Sequence, residues 1–124
     1  MKKRKILVVD DEVMIRRVLK RFFDKEGYET FEATSEKTAI EMFRLNRPFD
    51  AVLCDISLSG DDGWKVVEYV QRAHPSTPIM VMSGAIQDGV RTDLTFSILY
   101  KPFSPSELIE ALEKLWSSRQ EEAK

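Results

Sequence analysis

Four short apolar runs in this chain of 124 residues each end at polar side chains that could do chemistry. Two carboxylates, Asp10 and Asp11, follow the first of these runs, and Asp55 follows a later one. Ser83 and Lys101 follow the remaining two. If the runs are parallel strands, their carboxyl ends meet at one edge of a sheet, where open α/β folds bind their ligands. We therefore expect these side chains to form a single site.

The three carboxylates at this edge predict a bound cation. At about 4–5 Å each pair repels by up to roughly 4 kcal/mol at an effective dielectric constant of about 20. Oxygen ligands completed by water suit Mg²⁺, which commonly bridges a carboxylate and a phosphoryl group. An ionised aspartate can also attack phosphorus and become an aspartyl-phosphate. Mg²⁺, the Lys101 ammonium and the Ser83 hydroxyl could then neutralise charge on the phosphoryl oxygens.

The apolar runs have the length and composition of strands buried on both faces of a sheet. Residues 6–9, 51–54 and 79–82 are each four consecutive apolar residues, too few for a helix of ordinary length. Residues 28–33 alternate apolar with polar side chains, which is typical of an edge strand. We predict strands at about 4–10, 28–33, 49–55, 79–82 and 96–100.

Helical patterns fill the segments between these strands. A helix is predicted over about 12–25, where Arg16 and Arg17 fall off an apolar stripe made of Ile15, Val18, Leu19 and Phe22. Further helices are predicted over about 34–46, 62–73 and 104–117. The last begins with Ser104, Pro105 and Glu107, a strong capping pattern. The charged residues beyond it are expected to extend this helix or to be disordered.

Residues 85–95 predict only a short or frayed fourth helix. Apolar side chains recur there every four positions, but Gly89 interrupts them. Strands that alternate with helices in this way predict a doubly wound α/β sandwich, because right-handed crossovers place helices on both faces of a parallel sheet.

The motifs at the strand ends resemble those of the receiver domain of two-component response regulators, of the chemotaxis-regulator type. The resemblance extends over residues 4–117, and one motif alone would be weak evidence, whereas four in the right order are specific. It implies a (βα)5 sandwich with a five-stranded parallel sheet in the flavodoxin-like order 2-1-3-4-5, a receiver domain over 1–118 and a charged tail over 119–124. The motifs are Val8-Val9-Asp10-Asp11-Glu12, Asp55-Ile56-Ser57-Leu58-Ser59-Gly60-Asp61-Asp62-Gly63, Ser83-Gly84-Ala85 and Lys101-Pro102-Phe103.

The resemblance also implies a metal site built around Asp55. In that family pattern Asp11 ligates Mg²⁺ directly and Asp10 supports the ion through water. Asp55 and the backbone carbonyl of Ser57 complete the protein ligands.

The same pattern implies how the phosphoryl group is handled. Asp55 accepts it, Lys101 contacts it, and the Ser83 hydroxyl hydrogen-bonds it and reports its presence. The peptide bond between Lys101 and Pro102 is expected to be cis. A protein of this kind is not an enzyme acting on a separate substrate, since it catalyses only its own aspartyl phosphorylation and dephosphorylation.

Three departures from the family pattern affect how a phosphorylated state would be read. Ser59 stands where the family usually has proline, which should loosen the loop after Asp55. Ile98 replaces the usual aromatic residue three positions before Lys101, so the usual coupling of Ser83 to an aromatic rotamer cannot operate there; Tyr100 is a weaker substitute. The segment from Ser83 to Lys101 is shorter than usual by about one helical turn.

Composition excludes several other classes of protein. A net charge of −2 argues against non-specific nucleic-acid binding, and no apolar stretch is long enough to span a membrane. No signal-peptide pattern is present, and the single Cys54 suits a reducing compartment, so we expect a cytoplasmic protein. The initiating Met1 and the tail favour a complete, stand-alone domain. We expect this domain to be a monomer or weak dimer.

The sequence thus predicts a stand-alone receiver that takes a phosphoryl group onto Asp55 from a phosphohistidine of a sensor histidine kinase or a histidine phosphotransfer protein. It would signal to a downstream protein, whose identity the sequence does not give, or relay the group onward. Two alternatives stay open: a fragment of a larger regulator or hybrid kinase, and a pseudo-receiver that serves as an interaction module.

An aspartate-nucleophile phosphatase would need Asp-x-Asp after the first strand, whereas Asp10 and Asp11 are adjacent. An FMN binder would need hydroxyl groups there.

Overall fold

Five parallel strands form one sheet at the centre of the protein. The computed structural model describes residues 3–58, 60, 62–84 and 93–123, with residues 119–123 as backbone only. The strands lie in the order β2-β1-β3-β4-β5, as predicted. They are β1 (Lys5–Val9), β2 (Glu29–Ala33), β3 (Ala51–Asp55), β4 (Ile79–Ser83) and β5 (Ser97–Tyr100).

Four helices connect and flank the strands in the described residues. They are α1 (Val13–Lys25), α2 (Glu36–Asn46), α3 (Gly63–Ala73) and α4 (Pro105–Ala123). The short helix predicted over 85–95, between β4 and β5, falls mainly on residues outside the described ranges. Ser59, in the loop after Asp55, is also outside them. Asp93 and Leu94, which are described, form a turn and a bend. The charged tail extends α4 as far as Ala123, which is one of the two states expected for it.

The sheet is covered on both faces, which makes the predicted doubly wound sandwich. Successive strand residues point to opposite faces, so Val52 and Cys54 join one core cluster whereas Ala51 and Leu53 join the other. On one face, α2 and α3 contribute Ala39, Phe43, Val66, Val67 and Val70. On the other, α1 and α4 contribute Leu19, Phe23, Leu108, Ile109, Leu112 and Trp116. The residues of β3 are buried on both faces, as its apolar run predicted.

The apolar stripe predicted for α1 was partly wrong. Leu19 and Phe23 are its buried residues, whereas Val18 is 50% exposed. Leu19 and Phe23 are four positions apart and therefore lie one above the other on the same helix face. Compared with the prediction, α1 is rotated about its axis so that the larger Phe23, and not the smaller Val18, is buried against the sheet.

Capping boxes, in which two side chains each accept from the other residue's backbone N–H, fix the starts of α2 and α4. The Ser35 hydroxyl accepts a hydrogen bond from the backbone N–H of Thr38, and Thr38 Oγ1 accepts one from the Ser35 N–H. At the start of α4, the predicted capping box is confirmed: Ser104 Oγ accepts from the Glu107 N–H at 3.1 Å, and Glu107 Oε1 accepts from the Ser104 N–H at 3.4 Å. Among the helices of the described residues, none has the length and apolar character needed to cross a lipid bilayer.

Gly63, the first residue of α3, lies directly against the end of β3. A Cβ atom added at Gly63 would lie 2.5 Å from the Ile56 Cα and would overlap the backbone oxygen of Asp55. Both neighbours are backbone atoms, which cannot rotate away. Glycine at this position therefore lets α3 pack closely against the strand that carries Asp55.

We expect Gly63→Ala to lower the free energy of unfolding by about 2 kcal/mol, because the added methyl group forces the backbone apart. Urea denaturation followed by circular dichroism measures the loss. Gly84→Ala is the control, since a Cβ there meets nothing within 4 Å and its effect should stay within about 0.5 kcal/mol. Equal stability of the two variants would contradict the close packing of α3 on β3.

Candidate functional site

The carboxyl ends of the strands bring Asp10, Asp55 and Lys101 into contact. Asp10 immediately follows β1, Asp55 ends β3 and Lys101 follows β5. The Lys101 ammonium lies 2.8 Å from Asp55 Oδ2 and 3.3 Å from Asp10 Oδ2. Asp10 is fully buried and Asp55 is 4% exposed, so these charges interact where water screens them little. The sequence placed these three residues correctly at one edge of the sheet.

The Asp55 carboxylate is held by both of its oxygens. Oδ2 accepts from the Lys101 ammonium, and Oδ1 accepts from the backbone N–H of Ser57 at 2.7 Å. The second bond comes from two residues further along the chain, so the turn after β3 itself orients the side chain. The carboxylate is therefore held in one orientation at the carboxyl end of β3.

Asp10 is fixed by its neighbours in the turn between β1 and α1. Its Oδ1 accepts from the Glu12 N–H at 2.9 Å, and its own N–H donates to the Ala33 carbonyl at 3.1 Å, beyond the end of the strand ladder. Burial raises the pKa of the Asp10 carboxyl, and the nearby Asp55 charge raises it further. The Glu12 N–H and the Lys101 charge act against this rise but do not cancel it.

Lys101 is the cation nearest to these carboxylates in the described part of the chain. Burial alone would lower its pKa, but the hydrogen bond to Asp55 and the charges of Asp10 and Asp55 outweigh burial and raise the pKa above 10.5. Lys101 therefore stays charged at neutral pH. Its backbone N–H donates to the Ser83 carbonyl at 2.7 Å, which extends the β4–β5 pairing, and its bond to Pro102 is cis, as expected.

The acidic cluster has the donor set of a site for a hard cation. One carboxylate oxygen from each of Asp10, Asp11 and Asp55 lies within 4.8 Å of the other two. Oxygen donors at such spacing suit Mg²⁺, which also keeps several water ligands. The residues present therefore fit the ion that the sequence predicted. Ser57, two residues after Asp55, is exposed. The role of its carbonyl as a Mg²⁺ ligand stays a prediction.

Ser83 lies at the same edge of the sheet, at the end of β4. It is buried and pairs in register with Tyr100, which is 55% exposed. Ile98 pairs with Val81 and is partly buried. The location of Ser83 agrees with the sequence, whereas its bond to a phosphoryl group stays a prediction.

Sequence reasoning missed two charged residues at the site. Glu12 was noted only as part of a motif, yet its Oε1 lies 3.8 Å from the Lys101 ammonium. Arg16 was noted only as lying off the apolar stripe, yet its Nη1 donates to the carbonyl oxygen of Asp10 at 2.6 Å. The available signal was position, because both residues are in or just before the first turn of α1, which follows the acidic pair.

Comparison with known sequences gives consistent matches. The family model described as response regulator receiver domain matches residues 6–113. The chain is 35% identical over 109 residues to the transcriptional regulatory protein ResD of Bacillus subtilis, covering 85% of this chain but 45% of ResD. It therefore spans about half the length of that relative. It is 31% identical over 117 residues to the chemotaxis protein CheY of Thermotoga maritima, covering 90% of this chain and 97% of CheY.

Comparison with solved structures agrees with these matches. A response regulator receiver protein from Sinorhizobium medicae is similar with a TM-score of 0.81 and 29% identity, over 95% of this chain and 98% of that one. NtrX from Brucella abortus is similar with a TM-score of 0.83 and 28% identity, over 98% of this chain and 28% of that one.

The raised pKa of Asp10 predicts that this residue destabilises the metal-free protein. A carboxyl with a raised pKa in the folded state costs stability as the pH rises through that pKa, because its ionised form is disfavoured there. Asp10→Asn keeps an acceptor for Glu12 without the charge, so without divalent cations we expect it to be more stable at pH 7 by about 1 kcal/mol.

Urea denaturation at several pH values measures this difference. It should disappear below the ordinary aspartate pKa of 3.8, where Asp10 is protonated in both the folded and the unfolded chain. A less stable Asn variant in metal-free buffer at pH 7 would show that the ionised carboxylate is a net benefit to the fold.

Proposed function

The chain belongs to the response regulator receiver domain family, the phosphorylation-accepting signalling domains of two-component systems, and we propose that Asp55 is its phosphoacceptor. The donor would be a phosphohistidine of a sensor histidine kinase or a histidine phosphotransfer protein. The observation that carries this proposal is the convergence of Lys101 and the acidic cluster on the Asp55 carboxylate. Receiver domains are signalling domains, not enzymes in the usual sense.

In the proposed transfer, an Asp55 carboxylate oxygen attacks the phosphorus atom of the phosphohistidine. The bond from that oxygen to phosphorus forms as the nitrogen–phosphorus bond breaks, and the imidazole nitrogen keeps the electron pair of the broken bond. The products are an aspartyl-phosphate and a histidine ring that takes up a proton from solvent. Later attack by water on phosphorus would return the carboxylate and release inorganic phosphate.

Positive charge near the phosphoryl oxygens is the main requirement of such a transfer. Lys101 would supply one charge, since its raised pKa keeps the ammonium protonated at the mouth of the site. Asp10, Asp11, Asp55 and the Ser57 carbonyl would hold Mg²⁺, which when bound neutralises further charge on the phosphoryl group. The Ser83 hydroxyl, buried at the end of β4, would donate a hydrogen bond to it.

The phosphorylated form would act by shifting an equilibrium between two conformations that a partner protein distinguishes. The downstream signal should differ from that of a typical relative, because Ile98, which pairs with Val81 in β4, lacks the aromatic ring of the family's usual switch. We infer that the protein signals through a surface other than the one that typical relatives use, or mainly relays the phosphoryl group. A cytoplasmic monomer or weak dimer without nucleic-acid contacts stays a prediction.

A second candidate is the receiver part of a longer regulator. The match to ResD favours it, because ResD is a transcriptional regulatory protein and the match covers 45% of its length. The phosphoacceptor chemistry proposed for Asp55 is the same in both cases. The two differ in whether phosphorylation acts on a partner protein or on another part of the same protein.

Incubation with a small-molecule phosphodonor and Mg²⁺, followed by intact-protein mass spectrometry, tests the proposed chemistry. We expect an adduct of one phosphoryl group that hydroxylamine removes, as for an acyl phosphate. The adduct should be absent from Asp55→Asn, which lacks the nucleophile. It should persist in Asp50→Asn, a control that changes the aspartate immediately before the same strand.

Two results would count against the proposal. An adduct that survives in Asp55→Asn would place the phosphoryl group on another residue. No adduct on the folded wild-type protein would favour the alternative of a pseudo-receiver that serves as an interaction module.

A further inference from the structure

Arg16 links the acidic turn to the neighbouring strand. Its Nη1 donates to the carbonyl oxygen of Asp10 at 2.6 Å, and its Nε lies 3.3 Å from Oε1 of Glu32 in β2. The Arg16 side chain is only 13% exposed, although it carries a charge. Arg17, the next residue of the same helix, is exposed. The two arginines thus have the same charge and very different surroundings.

The contact with Arg16 is made where the strand ladder ends. β1 ends at Val9, and the Asp10 carbonyl, one residue beyond the strand, accepts a hydrogen bond from Arg16. The Asp10 N–H is held by Ala33, and its carbonyl is held by Arg16. These bonds fix the peptide units on both sides of the Asp10 side chain. One of those units leads directly to Asp11.

We propose that Arg16 is a positioning residue for divalent-cation binding: by holding the Asp10 carbonyl, it keeps the carboxylates of Asp10 and Asp11 converged with Asp55. This inference rests on the proposed Mg²⁺ site and assigns a new role to a residue outside the ligand set. Arg16 has no contact with the cation in this account and acts only through the backbone of the turn.

The geometric benefit of Arg16 must exceed an electrostatic cost. The positive guanidinium of Arg16 lies near the acidic cluster and repels Mg²⁺, so charge alone would make Arg16 unfavourable for Mg²⁺ binding. Pairing with Glu32 offsets part of this charge. Arginine also suits the task better than lysine, because its planar group offers several donors in fixed directions and can contact the Asp10 carbonyl and Glu32 together.

Geometry and charge therefore predict opposite results when Arg16 is replaced, and Mg²⁺ affinity measured by isothermal titration calorimetry separates them. We expect Arg16→Ala to bind Mg²⁺ about tenfold more weakly, the size of effect typical of removing a residue that orients metal ligands. Arg17→Ala removes the same charge from the same helix, so we expect unchanged or slightly tighter binding. Arg16→Lys keeps the charge and one contact, and should fall between wild type and Arg16→Ala.

Amide hydrogen exchange in the metal-free protein gives a second readout. The Glu12 N–H, which donates to Asp10 Oδ1, should exchange faster in Arg16→Ala than in wild type. Amides of the last helix, α4, should exchange at the wild-type rate, which separates a loosened turn from a general loss of stability. If Arg16→Ala is too unstable to study, Arg16→Lys carries the same two measurements.

The inference is overturned if Arg16→Ala binds Mg²⁺ as tightly as Arg17→Ala, or if its Glu12 amide exchanges at the wild-type rate. Failure of the proposed function looks different. A wild-type protein that binds Mg²⁺ but accepts no phosphoryl group would contradict the role of Asp55 and leave the role of Arg16 intact. A wild-type protein that binds no Mg²⁺ would remove the site on which both depend.

Discussion

The ion pair between Lys101 and Asp55 balances charge in the most buried acidic cluster of the described residues. The two groups approach to 2.8 Å, and the same ammonium lies 3.3 Å from Asp10. Carboxylates buried this deeply are unfavourable without a nearby cation, because the protein replaces little of the hydration that they lose. The pKa of Asp10 is raised by burial first and by the Asp55 charge second, so Lys101 and the Glu12 N–H do not fully offset the cost of burying this carboxylate. Such a cluster costs stability, and a bound cation would offset part of that cost.

The parallel direction of the strands brings the residues of this cluster together. Parallel strands place the carboxyl ends of β1, β3 and β5 at the same edge of the sheet, with β4 between β3 and β5, and three residues distant in sequence meet there. Close packing of α3 through Gly63 fixes the end of β3, and Arg16 and Ala33 fix the turn after β1. The site therefore depends on backbone positions more than on flexible side chains. Rigidity of this kind suits a group transfer that depends on positioning and charge neutralisation.

The strand ends and the placement of Asp10, Asp55, Ser83 and Lys101 followed from short features of the sequence, whereas the sheet order followed from the resemblance of the motifs to those of receiver domains. Buried runs such as 51–54 have few alternatives in a chain of this length, and a capping pattern such as that at Ser104 acts locally. The rotation of α1 was harder to predict, because Val18 and Phe23 fit the periodicity almost equally well. Packing against the sheet decides between them, and the same rotation brings Arg16 to the Asp10 carbonyl. Contacts of this kind depend on tertiary structure, so the pattern of one helix does not reveal them.

The central claim is that positive charge, from Lys101 and from a bound cation, balances the buried carboxylates. The most direct test is the free energy of unfolding of Lys101→Met, measured by urea denaturation with and without Mg²⁺. Without Mg²⁺ we expect a loss of about 3 kcal/mol relative to wild type, because Asp55 and Asp10 are left without their partner. Saturating Mg²⁺ should stabilise this variant more than wild type and so remove most of the difference, because the bound ion is no longer repelled by the Lys101 charge. A loss that is the same with and without Mg²⁺, or no loss at all, would contradict the account.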